Sequence, residues 1–295
     1  MDETHGYAHL SEVVLHYVEA GDPTDPLVVL LHGFPEFWYA WRHQIDHLAA
    51  AGYHVLAPDM RGYNRSSKPP SIEPYRLTHL TRDVVELIRG TEHERATVVG
   101  HDWGGVVAWE LAHRHPDVLD RLAVCNAPHL DALARELRSP RQVRRSWYAG
   151  AFQIPKLPEF FLERGEYGWL RRLLENGPTN PEAFSAGDIE RYRRAIARPG
   201  ALRAALDYYR ALVRTRLRRR LGRLGPPDRT TRTDVPTLLV WGDRDAALGV
   251  GLTRGLDRWV SNLRVEHLPD ASHWVQNDAP DRVNELLCEF LEEDV

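Results

Sequence analysis

The sequence predicts an α/β protein: a mostly parallel sheet of about eight strands, with helices on both faces and an inserted helical block that forms a lid. Three observations predict this fold. Short apolar runs alternate with helical patterns, the runs are almost continuously apolar, and the alternation stops over one long segment. Strands buried on both faces of a parallel sheet have this apolar character. A chain of 295 residues is long enough for one such unit with an insertion.

Six apolar runs are the candidate parallel strands. They are LVVLLHG (27–33), HVLAPD (54–59), ATVVG (96–100), RLAVCN (121–126), TLLVWG (237–242) and LRVEHL (263–268). A seventh run, EVVLHYVEAG (12–21), alternates between apolar and polar residues, which predicts an antiparallel strand at the edge of the sheet.

The domain boundaries follow from where this pattern stops. It breaks after Pro128 and resumes near Val235, and the segment between contains Arg-rich helical patterns punctuated by proline and glycine. We therefore assign residues 1–130 and 231–295 to the core and residues 131–230 to the lid.

Charge is distributed unevenly between these parts. The net charge is −4, but residues 131–230 contain 22 Arg/Lys against 11 Asp/Glu, so the lid is positive and the core is negative. The densest basic stretch is Arg214–Arg223. We interpret it as a solvated helix face, because no nucleic-acid-binding motif accompanies it. No nucleic-acid partner is expected.

Other composition signals are absent. The N-terminus lacks the positive charge and apolar core of a signal peptide, and no run approaches the ~18 apolar residues of a membrane span. Cys125 and Cys288 are too few for a disulfide framework or a thiolate metal site. We expect a cytoplasmic protein without a metal, as a monomer or a homodimer.

The segment VVGHDWGGVVAW (Val98–Trp109) is the most informative stretch. An apolar run ends at Gly100, and a sharp turn with Asp102 at its tip leads into a helical pattern. An acid there could simply cap the helix. However, small residues at 100, 104 and 105 are typical of a tight strand–turn–helix elbow, where the tip residue is a nucleophile.

A carboxylate nucleophile indicates displacement at a saturated carbon. Attack by Asp102 makes an ester, whose carbonyl water can attack, whereas a serine would leave a stable ether. The second step needs a base. LPDASHW offers His273, and WGDRDA offers Asp243 and Asp245. The order Asp102, Asp245, His273 is nucleophile, acid, histidine, and in this arrangement Asp245 would orient the His273 ring.

These motifs resemble those of the soluble epoxide hydrolases of the α/β-hydrolase superfamily. The matching segments are HGFPE (32–36), WYAWR (38–42), GHDWGG (100–105), WGDRD (241–245) and ASHW (271–274). The resemblance covers nearly the whole chain from about residue 12 and implies an α/β-hydrolase fold. It also implies a hydrophobic epoxide substrate, a vicinal diol product, no cofactor, and roles such as detoxification.

The lid extends the resemblance. Epoxide hydrolases of this family carry one lid tyrosine in a segment like Y-x-x-x-F-Q-x-P and another in one like N-[WY]-Y-R. Here YAGAFQIP places Tyr148, and LDYYRA places Tyr209, at those positions. A phenol can protonate the departing alkoxide and stay protonated at neutral pH. Tyr208 is expected to point elsewhere, because neighbours on a helix diverge.

The resemblance also implies supporting roles. The backbone N–H groups of Phe34 and Trp103 are expected to form the oxyanion hole. The candidate walls of the substrate pocket are Phe34, Trp38, Trp103, Phe152 and Trp274.

Two alternatives remain open. Haloalkane dehalogenases share the catalytic motifs, and a halide needs only N–H donors such as Trp103. They commonly carry Asn after His-Gly, where this chain has Phe34. A non-catalytic ligand receptor with the same fold is the second alternative. It leaves unexplained why the triad residues and both tyrosines are all present.

Overall fold

The computed structural model describes residues 4–225 and 230–293, and within them eight strands form a single sheet. The strands are β1 (Thr4–His9), β2 (Val14–Ala20), β3 (Leu27–Leu31), β4 (His54–Pro58), β5 (Ala96–His101), β6 (Leu119–Cys125), β7 (Thr237–Gly242) and β8 (Leu263–Leu268). Their order across the sheet is β1-β2-β4-β3-β5-β6-β7-β8.

The predicted fold is confirmed. Strands β3 to β8 pair in parallel, and every residue of β3, β4, β5 and β7 is buried, as their continuous apolar character predicts. All seven predicted strands are present, with ends within two residues of those expected. Because the parallel strands run in one direction, their carboxyl ends share one edge of the sheet, where the candidate site residues follow them.

The predicted position of the strand within 12–21 is wrong. That strand, β2, is antiparallel as expected, but it lies inside the sheet, because β1 pairs along its outer side. β1 has the sequence THGYAH and is largely exposed, so it lacks the apolar alternation by which strands are predicted. Backbone pairing with β2, from Thr4 opposite Glu19 to His9 opposite Val14, defines it instead.

Eleven α-helices occur in the described residues. They are α1 (Arg42–Ala50), α2 (Leu77–Arg89), α3 (Trp103–Arg114), α4 (Leu130–Glu136), α5 (Pro140–Arg145), α6 (Trp147–Ala151), α7 (Leu157–Asn176), α8 (Ala186–Ile196), α9 (Ala201–Arg220), α10 (Val275–Asp278) and α11 (Pro280–Glu292). The pairs α1–α11 and α2–α3 pack together against the sheet. No helix among residues 4–225 and 230–293 is long and apolar enough to cross a bilayer.

Helices α4 to α9 lie between β6 and β7, in the segment predicted as the lid. The first half of α9 is buried against the core, where the Tyr208 hydroxyl donates to the Arg61 carbonyl at 2.6 Å. Tyr208 thus points into the core. On α5, buried Gln142 accepts a hydrogen bond from Gly249 N–H at 3.1 Å and donates to the Ala247 carbonyl at 3.0 Å. The lid is therefore attached to the core at both of these places.

Candidate active site

The nucleophile candidate occupies a strained turn between β5 and α3. Asp102 has φ 47° and ψ −116°, a backbone conformation that residues other than glycine rarely adopt. Close packing around the turn maintains this conformation. A Cβ on Gly104 would lie 2.1 Å from the Leu31 carbonyl oxygen, and one on Gly33 would lie 2.4 Å from the Asp102 Cβ. The elbow therefore requires glycine at both positions, and the spacing of small residues predicts this for Gly104.

The two oxygens of Asp102 have different surroundings. Oδ1 accepts a hydrogen bond from the Phe34 backbone N–H at 2.8 Å, whereas Oδ2 lies 3.6 Å from His273 Nε2. Burial alone would raise the pKa of Asp102, but hydrogen bonding and the charge of His273, the charge of His101 and the Phe34 N–H lower it overall. The carboxylate is therefore ionised, and its side chain is 15% exposed.

The base candidate is oriented by a carboxylate, as predicted. His273 Nδ1 donates to Asp245 Oδ2 at 2.7 Å, which leaves Nε2 directed toward Asp102. Burial by itself would lower the pKa of His273, but the charges of Asp245 and Asp102 and their hydrogen bonds raise it well above its usual value. Asp243, the other acid of the motif, pairs with His267 at 2.6 Å on the exposed side of β8.

Asp245 is itself held by a hydrogen-bonding network that sequence reasoning missed. Its Oδ1 accepts from the backbone N–H groups of Ala247 and Leu248, and its Oδ2 accepts from the Asn126 amide at 2.9 Å. Asn126 also accepts from Gly242 N–H at 2.7 Å. Asn126 is neutral and cannot itself be the acid, but its position after β6, beside β7, makes it a donor to the acid.

Replacing Asn126 tests this network. Asn126→Ala is expected to lower the free energy of unfolding by about 1–3 kcal/mol, because it removes the side-chain acceptor of the buried Gly242 N–H and one of the two donors to Asp245 Oδ2. Urea unfolding measures the loss. As a control, Asn176→Ala removes one exposed hydrogen bond from the Asn176 amide to the Arg172 carbonyl. It is expected to lower the free energy of unfolding by no more than about 0.5 kcal/mol. Equal effects for the two variants would contradict the role of Asn126.

A buried ion pair connects the loops on both sides of Asp102. Glu36 accepts from Gly33 N–H at 3.0 Å and from His101 Nδ1 at 2.7 Å, and His101 Nε2 faces the His273 carbonyl at 2.8 Å. Both ring nitrogens of His101 thus face acceptors. The pair links the loop that contains Phe34 to the loop that contains His273.

The two predicted lid tyrosines lie next to each other and close to the nucleophile. Tyr148 on α6 and Tyr209 on α9 have ring centroids 5.9 Å apart, and Tyr209 lies 4.9 Å from the Trp103 ring. Burial raises the pKa of both phenols, and the negative charge of Asp102 raises it further. Both hydroxyls are therefore protonated at neutral pH and within the electrostatic reach of Asp102.

Aromatic rings surround these groups. Phe34 and Phe152 contact Tyr209 with ring centroids 5.8 and 5.2 Å away. Trp169 of α7, which sequence reasoning missed, stacks on Phe34 at 5.9 Å. From the sequence alone, a single tryptophan in a helical pattern cannot be identified as a residue that lines a pocket rather than one that packs in the core.

The remaining two predicted walls are placed differently. Trp274 borders the His273 ring at 5.3 Å and packs on Phe184 of the lid. The ring contacts of Trp38 are with His5, Phe37 and Tyr39, so among the described residues its ring does not meet the aromatics around the two tyrosines. The structure thus offers no ring contact that supports Trp38 as a pocket wall.

The sheet order, the elbow after β5 and the acid and histidine after β7 and β8 define an α/β-hydrolase. The family profile for the alpha/beta hydrolase fold matches residues 26–280. The AB hydrolase superfamily protein YfhM of Bacillus subtilis is 39% identical over 97% of this chain and 96% of that protein. Epoxide hydrolase 3 of Xenopus tropicalis is 38% identical over 98% of this chain and 78% of that protein.

A solved structure extends the comparison. A mutant epoxide hydrolase of Bacillus megaterium, in complex with its product (R)-3-[1]naphthyloxy-propane-1,2-diol, is 32% identical, with a TM-score of 0.86. The match covers 98% of this chain and 100% of that chain. The chain belongs to the epoxide hydrolase family of the α/β-hydrolase superfamily.

Proposed function

We propose that the protein hydrolyses hydrophobic epoxides to vicinal diols through a covalent ester on Asp102. One observation carries the proposal. An ionised carboxylate at the elbow, with a His–carboxylate pair beside it, lies near two buried phenols of the lid. The phenols are what an epoxide requires and a halide does not, because a ring-opened oxygen leaves as an alkoxide that must be protonated.

In the first step, Asp102 Oδ2 attacks a ring carbon of the epoxide. The C–O bond of the ring breaks, and its oxygen takes a proton from Tyr148 or Tyr209. Oδ1, already bonded to the Phe34 N–H, becomes the carbonyl oxygen of the ester. The high pKa of both phenols keeps them protonated until the alkoxide, a stronger base, develops.

In the second step, His273 Nε2 takes a proton from a water molecule that attacks the ester carbonyl. Asp245, held by Asn126 and two backbone N–H groups, stabilises the resulting imidazolium. The oxyanion forms at Oδ1, where the N–H groups of Phe34 and Trp103 stabilise it. When the acyl C–O bond breaks, the leaving diol oxygen takes the proton held by His273. The second proton of the attacking water, left on the new carboxyl group, returns to the tyrosine that gave its proton in the first step, which restores Asp102 and both phenols.

The aromatic walls support an apolar substrate. Phe34, Phe152, Trp103 and Trp169 surround the tyrosines, and such rings favour apolar or aromatic substituents. The naphthyloxy diol bound by the Bacillus megaterium relative supports the same class of substrate for this chain. We propose terminal epoxides with an aryl or alkyl substituent, bound beneath helices α6 and α9 as the lid.

Isotope labelling tests the proposal. With enzyme in excess over styrene oxide in ¹⁸O-water, the first diol is expected to carry no label, because its new oxygen comes from Asp102. The label should appear in the Asp102 peptide instead. Immediate label in the diol would mean direct attack by water. Turnover of 1-bromobutane with no turnover of styrene oxide would establish the dehalogenase alternative.

The two steps are expected to depend differently on pH. Ring opening needs ionised Asp102, whose pKa is lowered, so its rate should stay constant down to acidic pH. Ester hydrolysis needs neutral His273, so its rate should rise with pH through the pKa of that ring. Esterification removes the Asp102 charge, one cause of the raised pKa of His273, so this pKa should fall in the ester.

Rapid-quench kinetics at several pH values measures both steps separately. As a control, Asp102→Asn removes the same charge without substrate and is expected to lower the pKa of His273 in an NMR titration. An unchanged pKa in that variant would contradict the assigned coupling.

A further inference from the structure

The outer surface of the lid exposes large apolar side chains that most soluble proteins would bury. Within residues 143–161, six of them are 45–70% exposed. They are Val143, Trp147, Ile154, Leu157, Phe160 and Phe161. Concentrated exposure of this kind marks a surface that contacts another apolar body.

A stripe on α9 continues this surface. Arg210 donates to the Ile154 carbonyl at 3.2 Å and binds Glu159 at 2.6 Å, so this face of α9 lies against the segment 154–159. One to three turns further along the same face, three more exposed apolar residues follow at i, i+4 and i+8 spacing. They are Val213, Leu217 and Leu221. We call the nine residues together the docking face.

Cations neighbour the docking face along the chain. Arg141, Arg144, Arg145 and Lys156 are exposed, and no ion pair involves any of them within the part of the chain that the structure describes. Residues 141–166 contain five basic and three acidic side chains, and one of the acids, Glu159, is paired with Arg210. This local charge agrees with the excess of 22 basic over 11 acidic residues in the segment 131–230.

The charge decides between two occupants of an apolar face. In a two-fold contact with a second copy, both surfaces carry the same positive net charge, which is repulsive. An anionic bilayer attracts the cations, while the exposed aromatic and aliphatic side chains enter the region between headgroups and acyl chains. We propose that the docking face binds the surface of a bilayer that contains anionic phospholipids.

The docking face lies close to the two tyrosines of the proposed active site. Trp147 precedes Tyr148 on α6, and the α9 stripe begins one turn after Tyr209. Val213 stands at i+4 from Tyr209, so the stripe continues the face of α9 that carries Tyr209, and the docking face borders the two tyrosines. Resting on the proposed function, this arrangement lets an apolar epoxide that has partitioned into the bilayer enter the site with a short path through water.

Flotation with lipid vesicles tests the proposal on the whole chain. The protein is expected to float with phosphatidylcholine vesicles that contain about 30% phosphatidylglycerol, to bind pure phosphatidylcholine much more weakly, and to be released by high salt. Two variants remove the two contributions separately. Phe160→Ser/Phe161→Ser and Arg141→Glu/Arg144→Glu should each weaken partitioning by about tenfold or more.

Matched controls keep the result specific. Arg254→Glu/Arg258→Glu makes the same charge change at exposed positions of the core, and Tyr7→Ser removes an exposed aromatic ring from β1. Both controls should keep vesicle binding within about twofold of the unaltered chain. All four variants alter exposed residues and should retain the thermal unfolding midpoint and the turnover of dissolved styrene oxide.

Three outcomes would overturn the proposal: no flotation of the unaltered chain, equal binding to neutral and anionic vesicles, or a dimer that Phe160→Ser/Phe161→Ser converts to monomer. Failure of the proposed function is distinguishable. A chain that floats as expected but opens no epoxide would contradict the enzymatic assignment and leave the bilayer contact supported.

Discussion

His273→Gln is expected to arrest the enzyme as its covalent ester. Glutamine fills similar space but cannot take a proton from water, so ring opening by Asp102 proceeds while ester hydrolysis slows by about 10³-fold. Intact-protein mass spectrometry should show an increase equal to one substrate, and peptide mapping should place it on Asp102. An unmodified mass during continued turnover would rule out His273 as the base.

The chain provides a matched control for this variant. His267 also donates from Nδ1 to a carboxylate, Asp243 Oδ1, at 2.6 Å, close to the 2.7 Å of the His273–Asp245 pair. It is 36% exposed and lies on β8, away from the elbow. His267→Gln should therefore leave both steps unchanged and accumulate no adduct.

Removing the hydroxyls of Tyr148 and Tyr209 is expected to block ring opening, the step that forms the ester. Tyr148→Phe/Tyr209→Phe retains both rings but offers no proton to the opened oxygen, so ring opening should slow by about 10³–10⁴-fold. Each single variant should lose less, because the other phenol remains within reach. Single-turnover consumption of styrene oxide measures the rate, and no ester should be detected by mass.

Tyr208→Phe is the matched control for the double variant. It removes a hydroxyl one residue from Tyr209, but that hydroxyl bonds the Arg61 carbonyl in the core. We expect a loss of about 1 kcal/mol in stability and an unchanged ring-opening rate. If the double variant kept its rate within about tenfold of the unaltered chain, the tyrosines would not be the proton donors.

The strands could be predicted where their sequences form short, largely apolar runs. The run at 237–242 matches β7 residue for residue, because a strand buried on both faces must be apolar throughout. The run at 263–268 also matches β8 residue for residue, although this edge strand is only partly buried. β1 could not be predicted in this way, since THGYAH is held by backbone pairing and leaves most side chains in solvent. Its presence moved β2 away from the edge.

The candidate site was predictable where chemistry demands a residue type at a local spacing. Asp102 between small residues and His273 in its loop are such cases. Asn126 was not, because its role arises from the pairing of β6 with β7, two strands separated by more than one hundred residues of chain. Trp169 became a wall only through the packing of α7 onto Phe34, which no local pattern encodes.

The hydrogen bonds of Gln142 connect the helix of Tyr148 to the loop that holds Asp245. Its amide joins α5, which leads directly into the helix of Tyr148, to the 247–249 loop, whose backbone amides hold Asp245. A displacement of that helix to admit a bulkier substrate is therefore transmitted mechanically to the residue that steers the histidine. We therefore expect a substitution that displaces the Tyr148 helix to change both substrate selectivity and the rate of ester hydrolysis, and to change them less independently while the Gln142 hydrogen bonds are intact.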